Sequence, residues 1–296
     1  MGDGGPGRLP EGQGKPADLT GGDSVPRLGD VPTPGLSRRS VYLEVLGLWL
    51  GTLLLIRLAL VAQRGLGLPD WVLAVVPLLF IYAPVALCRY RKVDSYAYRL
   101  SIPAFRDFRA WGRSAGFAAV VALAITVPWV AGYHVYQAFF PHVVATASSW
   151  WTTGQLDTTL LWPAGRSLSE VLASVGPRWS RLPDDMLTLV AYQIFFVAIP
   201  EEFFYRGYLQ TRLNELHGRR WAVGGAMLGS GAIVANLLFA FGHSVVQLQW
   251  WHFATFFPGL LFAWMRERSG RVVPGALFHA FCNVSVMSLD ALYGVG

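Results

Sequence analysis

Long apolar runs alternate with short polar connections along this chain, and the runs have the length of bilayer crossings. They fall at about 42–62, 71–88, 115–140, 186–209, 222–246, 249–266 and 273–293, each near the ~20 residues that a transmembrane helix needs. The pattern predicts an all-α fold, a polytopic membrane helix bundle of about seven transmembrane helices, with the sixth the shortest. Each crossing must satisfy its own backbone, since lipid offers no hydrogen-bond partners.

Composition agrees with the pattern. The 296 residues are 53% hydrophobic and only 14% charged, with a mean hydropathy of +0.40, values that exclude an ordinary soluble domain. The net charge of +6 could suggest nucleic acid, but the cations sit between apolar runs and show no basic-aromatic recognition pattern, so nucleic acid is discarded as a partner. Counted by alternate connections, Lys and Arg number nineteen on one side and four on the other, with Arg57 inside the first run. The positive-inside bias therefore predicts a cytoplasmic N-terminus and an external C-terminus, and the localisation expected is a multi-pass protein of a bacterial inner membrane. Cys88 and Cys282 lie in or beside apolar runs and are expected to be small buried hydrophobes rather than a disulfide.

Three regions follow. Residues 1–39, rich in Gly and Pro, are expected to be a disordered cytoplasmic tail; the tail has no signal-peptide core, so the first apolar run is expected to direct insertion. Residues 40–185 are expected to hold the N-terminal transmembrane helices, with a basic cytoplasmic loop at 89–114 and an external loop at 141–185. In the first loop Tyr90, Tyr96, Tyr98, Phe105, Phe108 and Trp111 alternate with arginines, as in a segment lying at the headgroup boundary. The second carries Trp150, Trp151, Trp162 and Trp179 and is expected to cap the bundle. Trp250 and Trp251 form an aromatic anchor at the external interface. Residues 186–293 form the third region, where the chemistry concentrates.

Within the fourth run, Glu201, Glu202 and Arg206 are ionised side chains at hydrocarbon depth, which usually face a polar cavity and mark function. Glu202 and Arg206 are four residues apart with the acid first, the favoured order for a helical ion pair. Glu201 is left unpaired, and a carboxylate out of bulk water without a cation suits a general base. In the fifth run Phe239 stands one turn before His243, while Gly224, Gly225, Gly229 and Gly231 are expected to allow close helix packing upstream. In the last run His279 and Asn283 share one helical face and could donate to a common oxyanion. The alternative for each histidine motif alone is a polar clasp between helices.

Together the three motifs resemble the CAAX prenyl protease/bacteriocin-processing family of intramembrane proteases, whose pattern EExxxR, FxxxH and HxxxN is matched by Glu201–Arg206, Phe239–His243 and His279–Asn283. The resemblance covers about 186–293 and includes the sixth run from Phe257 to Gly270; residues 1–185 resemble no named family. It implies a catalytic core with the active site between helices, an endopeptidase cutting a membrane-tethered protein or peptide with a glutamate-activated water. By resemblance the catalytic residues are Glu201, His243, His279 and Asn283: base, water-orienting histidine and two oxyanion donors. Glu202 and Arg206, with Phe239, support them. The substrate implied is a CAAX-type end, a C-terminal sorting signal or a leader peptide, the latter two placed first. No cofactor is expected. Zinc, which two histidines and a carboxylate could hold, is the disfavoured alternative because no H-E-x-x-H pair is present. Two competing readings remain: an intramembrane metal-dependent enzyme with Glu201, Glu202, His243 and His279 as ligands, and a non-enzymatic transporter or immunity protein using its buried charges as an ion path.

Overall fold

The structure, a computed structural model, describes residues 37–93, 98, 102–162, 165–248 and 250–294, the side chains of 161, 250 and 251 excepted. Most of the expected tail, Tyr96 and Arg99 of the basic loop, and the side chains of Trp250 and Trp251 thus lie outside the described residues. The architecture is a helix bundle: α1 Arg38–Gly65, α2 Val75–Tyr90, α3 Phe108–Thr153, α4 Leu168–Ala173, α5 Met186–His217, α6 Ser230–Gln247, α7 Phe256–Ser269 and α8 Val273–Tyr293. Among the described residues six helices are long and apolar enough to cross a membrane, α2 being counted with the 3-10 turn Asp70–Ala74 that leads into it. At 14 residues, α7 spans only about 21 Å, short of a ~30 Å hydrocarbon layer. The protein is an integral, multi-pass membrane protein.

Local chemistry explains the ends. Ser37 accepts from the Ser40 amide to start α1, so residues 38 and 39, expected in the tail, are already helical. Asp107 and Asp185 cap α3 and α5 in the same way, through the amides of Ala110 and Thr188, each supplying an acceptor to an orphan N–H. Helix α3 runs 46 residues to a left-handed Gly154, past the expected end at 140 and well into the expected loop 141–185. In its polar C-terminal part Thr146, Thr152 and Thr153 return their hydroxyls to carbonyls four residues back, which satisfies them inside the helix. At about 69 Å, it is more than twice the hydrocarbon thickness.

The fifth run differs from expectation more sharply. Trp221–Val223 (β1) and Ala226–Leu228 (β2) pair antiparallel around Gly224–Gly225, both glycines having positive φ, the requirement of a tight hairpin turn. Two of the glycines expected to pack helices therefore make a turn, and α6 starts only at Ser230. The hairpin is pinned to α7, where Trp264 Nε1 donates to the Val223 carbonyl (3.0 Å) and Arg268 to that of Gly225 (3.1 Å).

Two polar clusters fasten the N-terminal helices to residues 186–293. At one end, Glu44 of α1 accepts from Arg212 Nε (3.0 Å), Arg91 (3.2 Å) and Tyr208 (2.6 Å), and Arg212 also reaches Glu215 at 2.6 Å. Tyr98, expected at the headgroup boundary, instead turns inward, stacks on Tyr208 and donates to Glu215 at 3.4 Å. Burial, and next the Glu215 carboxylate, push its phenol up to about 12, which keeps it a neutral donor. At the other end, Tyr133 of α3 donates to Asp290, while His134 bonds Tyr293 (2.5 Å) and the Leu172 carbonyl (2.9 Å). The cap expected over 141–185 is tied down there, since the Arg178 amide donates to the Leu292 carbonyl at 2.7 Å. The aromatic core of Phe80, Phe204, Tyr205, Phe239, Phe262 and Phe278 lies among α2, α5, α6, α7 and α8, and the two free cysteines are buried.

Replacing Glu44 with Ala strips Arg212, which is 1% exposed, of one of its two anions. The expected result is a loss of about 3 kcal/mol, read as a lower thermal unfolding midpoint in detergent, with Glu44→Gln losing less because an acceptor oxygen remains.

Candidate functional site

Helix α5 is not regular where the carboxylates lie. Two π-helical turns, Gln193–Ala198 and Phe203–Leu209, flank the α-helical turn that holds Glu201 and Glu202. Such turns cluster at functional sites because they re-aim side chains and free backbone carbonyls. Pro200 lies between them, and its missing N–H removes one helical bond on the site's own turn.

Glu202 and Arg206 pair as expected, Arg206 Nε lying 3.5 Å from Glu202 Oε2, both side chains essentially inaccessible. Arg206 also reaches two other helices through Nη2, which donates to Asn236 Oδ1 of α6 and to the Gly259 carbonyl of α7, each at 3.1 Å. Its guanidinium lies 4.2 Å above the ring of Phe239 and 5.3 Å from that of Phe262, where the ring faces favour a cation. Gly259 makes this possible, since a Cβ there would fall on Asn236 Oδ1 and 3.0 Å from Arg206 Nη2. Asn236 is fixed in turn by donating to the Phe256 carbonyl at 2.8 Å.

The other face of Glu202 meets α8: His279 Nδ1 lies 3.2 Å from Glu202 Oε1. A carboxylate only accepts, so Nδ1 carries the proton and Nε2 is turned toward Glu201. The His279 ring is stacked on Phe262 at 4.7 Å and meets Phe239 edge-on. On α6, His243 Nδ1 donates to the Phe239 carbonyl at 3.0 Å, leaving its Nε2 as the free nitrogen. Both free nitrogens converge on one atom: Glu201 Oε2 lies 3.7 Å from His243 Nε2 and 3.9 Å from His279 Nε2. Oε2 is buried and has no hydrogen-bond partner, yet the Glu201 side chain keeps 15% exposure against 1% for Glu202. That remaining exposure opens into a cavity of about 90 Å³ lined by Leu53, Ile56, Val76, Phe80, Glu201 and His243 among others. One water needs about 10–15 Å³, so several fit.

The structure thus brings Glu201, Glu202, Arg206, Phe239, His243 and His279 together. Asn283 is placed otherwise: one turn along α8 from His279, its amide donates to Gln193 Oε1 at 2.9 Å. The sequence reading missed Asn236, Gly259, Gln193 and the cavity wall contributed by α1 and α2. Asn236 and Gln193 were detectable as uncharged polar residues inside apolar runs; the wall, built from ordinary aliphatic and aromatic residues, carried no signal.

The site also allows a metal to be tested against its donors. Tetrahedral zinc with bonds of about 2.0–2.1 Å sets its ligands about 3.3–3.4 Å apart, closer than 3.7 and 3.9 Å. Among the described residues no group of three or more His, Cys, Asp or Glu is disposed to hold a metal ion.

Fold and site define a polytopic helical membrane protein with a buried carboxylate–imidazole centre. Residues 183–285 match the family model described as type II CAAX prenyl endopeptidase Rce1-like, a range that takes in Glu201 through Asn283. The match supports placing that region in the CAAX prenyl protease/bacteriocin-processing family of intramembrane proteases. No curated protein and no solved structure matches the chain.

Glu202 holds Arg206 and His279 at once, so Glu202→Gln leaves a buried guanidinium without its anion. The expected loss is about 3–5 kcal/mol, seen as a lower unfolding midpoint and poorer yield of monodisperse protein. Glu201→Gln, which breaks no ion pair with Arg206, is expected to unfold within a few degrees of the parent.

Proposed function

We propose that the chain is an endopeptidase in which Glu201 activates a water for attack on a peptide bond of a membrane-tethered substrate. The observation that carries the reading is Glu201 Oε2 itself, buried, without a hydrogen-bond partner and facing two imidazole nitrogens from two other helices. In its neutral form His243 has a lone pair at Nε2, because Nδ1 is committed to a carbonyl. Carboxylate and imidazole are then both acceptors, and a water in the adjoining cavity donates one hydrogen to each. As the water oxygen bonds to the scissile carbonyl carbon, its proton passes to Glu201, the step that a positioned general base accelerates. The same proton then goes to the amide nitrogen as the C–N bond breaks, returning Glu201 to its carboxylate. His279 Nε2 and the Asn283 amide serve as the donors for the developing oxyanion. To donate at Nε2 while Nδ1 stays bonded to Glu202, His279 must carry both protons, and Glu202 is the anion that balances it. Glu202, Arg206 and Phe239 are supports.

The substrate follows from depth. Glu201, His243, His279 and Asn283 all lie on membrane-spanning helices, so a peptide reaching them leaves water, which apolar surface favours by about 0.8 kcal/mol per buried CH₂. The family description, a CAAX prenyl endopeptidase, supports a lipid-modified C-terminal end ahead of the sorting signals and leader peptides favoured from sequence. The proposed setting is a bacterial inner membrane with the N-terminus cytoplasmic, as the distribution of basic residues indicates.

The test offers the purified full chain one fluorogenic peptide with and without an S-farnesyl anchor, and with Glu201→Gln as control. The expected outcome is cleavage of the anchored peptide at least about 100-fold faster in kcat/KM, with Glu201→Gln lowering it by about 100-fold or more. Equal rates for the two peptides would refute selection by the membrane, and an active Glu201→Gln would refute the assigned base.

The reaction as drawn needs no metal. Activity is expected to survive exhaustive chelation followed by gel filtration, within twofold. Loss on chelation with recovery on adding zinc, and not magnesium, would instead favour the metal-dependent reading.

A further inference from the structure

We propose that Gln193 is a positioning residue that sets the side-chain amide of Asn283 for its role as a donor to the reacting carbonyl. The inference rests on the reading of Asn283 given above and adds a residue outside the three motifs.

Gln193 opens the first π-helical turn of α5, eight residues before Glu201, and is 7% exposed. An uncharged amide at this depth needs partners for both of its ends. Its Nε2 lies 3.4 Å from the sulfur of Met287, and its Oε1 lies 2.9 Å from Asn283 Nδ2. The chemistry of these neighbours fixes which end is which. A thioether sulfur can only accept, so the end of Gln193 facing Met287 is its NH₂ and the end facing Asn283 is its oxygen. Asn283 must then meet Gln193 with its own NH₂. Were the Asn283 amide turned over, two oxygens would face each other with no hydrogen between them. Met287, Gln193 and Asn283 form a relay of definite polarity, which holds the nitrogen of Asn283 in place and leaves its second N–H for an oxyanion. The π-helical turn is the structural cause, because it re-aims Gln193 relative to a regular helix.

Gln193 and Met287 also line an open groove of about 470 Å³ with Asp185, Thr188, Leu189 and Tyr192. A residue there could act on substrate binding instead, so the test must separate the two effects.

Gln193→Met keeps the unbranched length and removes the acceptor; Gln193→Leu removes it in a different shape and serves if the first variant does not fold. Each is made in the parent chain and on an Asn283→Ala background, and the full-length proteins in lipid nanodiscs are assayed with the S-farnesyl fluorogenic peptide. The expected result is a kcat about tenfold lower with KM within twofold, since the lost orientation is felt only as charge develops on the carbonyl oxygen. On the Asn283→Ala background the same change is expected to alter kcat by less than twofold, the non-additivity of two residues acting as one unit. An unchanged kcat, a change confined to KM, or an equal loss on both backgrounds would each overturn the proposal. If Asn283→Ala itself turns over normally, it is the reading of Asn283 as a donor that fails. A lost kcat in Asn283→Ala beside a normal one in the Gln193 variants sinks the positioning role alone.

Discussion

The structure turns on one shared carboxylate. Glu202 is fully buried and faces a guanidinium with one oxygen and an imidazole with the other, Arg206 of its own helix in an ion pair and His279 of α8 in a hydrogen bond. An ionised group in such a place is tolerated only when its charge is compensated. That compensation draws α5, α6, α7 and α8 together, because Arg206 Nη2 donates to Asn236 and Gly259 and the guanidinium lies over the ring of Phe239. Glu201, its neighbour in the chain, is turned the other way, toward Nε2 of His243 and of His279. Two carboxylates adjacent in sequence thus differ in environment: one is paired with Arg206, the other lies beside two imidazoles.

The N-terminal helices carry none of the motif residues, yet they form part of the site: Leu53 and Ile56 of α1, with Val76 and Phe80 at the start and middle of α2, line the cavity beside Glu201. The clasp of Glu44, Arg91, Arg212, Tyr208 and Glu215 ties these helices to α5 at one end, and nearer the cavity Trp49 and Arg57 of α1 donate to the Leu238 and Val246 carbonyls of α6 at 3.0 Å each.

How much was legible in advance depended on whether a signal was local. Apolar length marked α1, α2, α5 and α8, and the i,i+4 order of Glu202 and Arg206 marked their ion pair, since both ends of each signal lie on one helix. The hairpin at Gly224–Gly225 was local too, but a two-glycine turn between apolar residues was read as helix packing. Helix α3 ran on past 140 with its threonine hydroxyls satisfied within the helix, an arrangement that polarity averaged over a loop does not reveal.

By itself the sequence determined an all-helical membrane bundle, the three motifs on three helices, and an unpaired glutamate beside a paired one. Only the tertiary structure decided that Glu201 Oε2 faces two imidazole nitrogens, that His279 is shared with Glu202, and that Asn283 is held by Gln193. It also decided that α1 and α2 wall the cavity. The physical reason is that periodicity and spacing constrain which side chains share a helical face, whereas contacts between helices depend on their rotation and depth. Here those were set by burying one anion with its partners, by the π-helical turns of α5, and by a glycine small enough to let Arg206 reach Asn236.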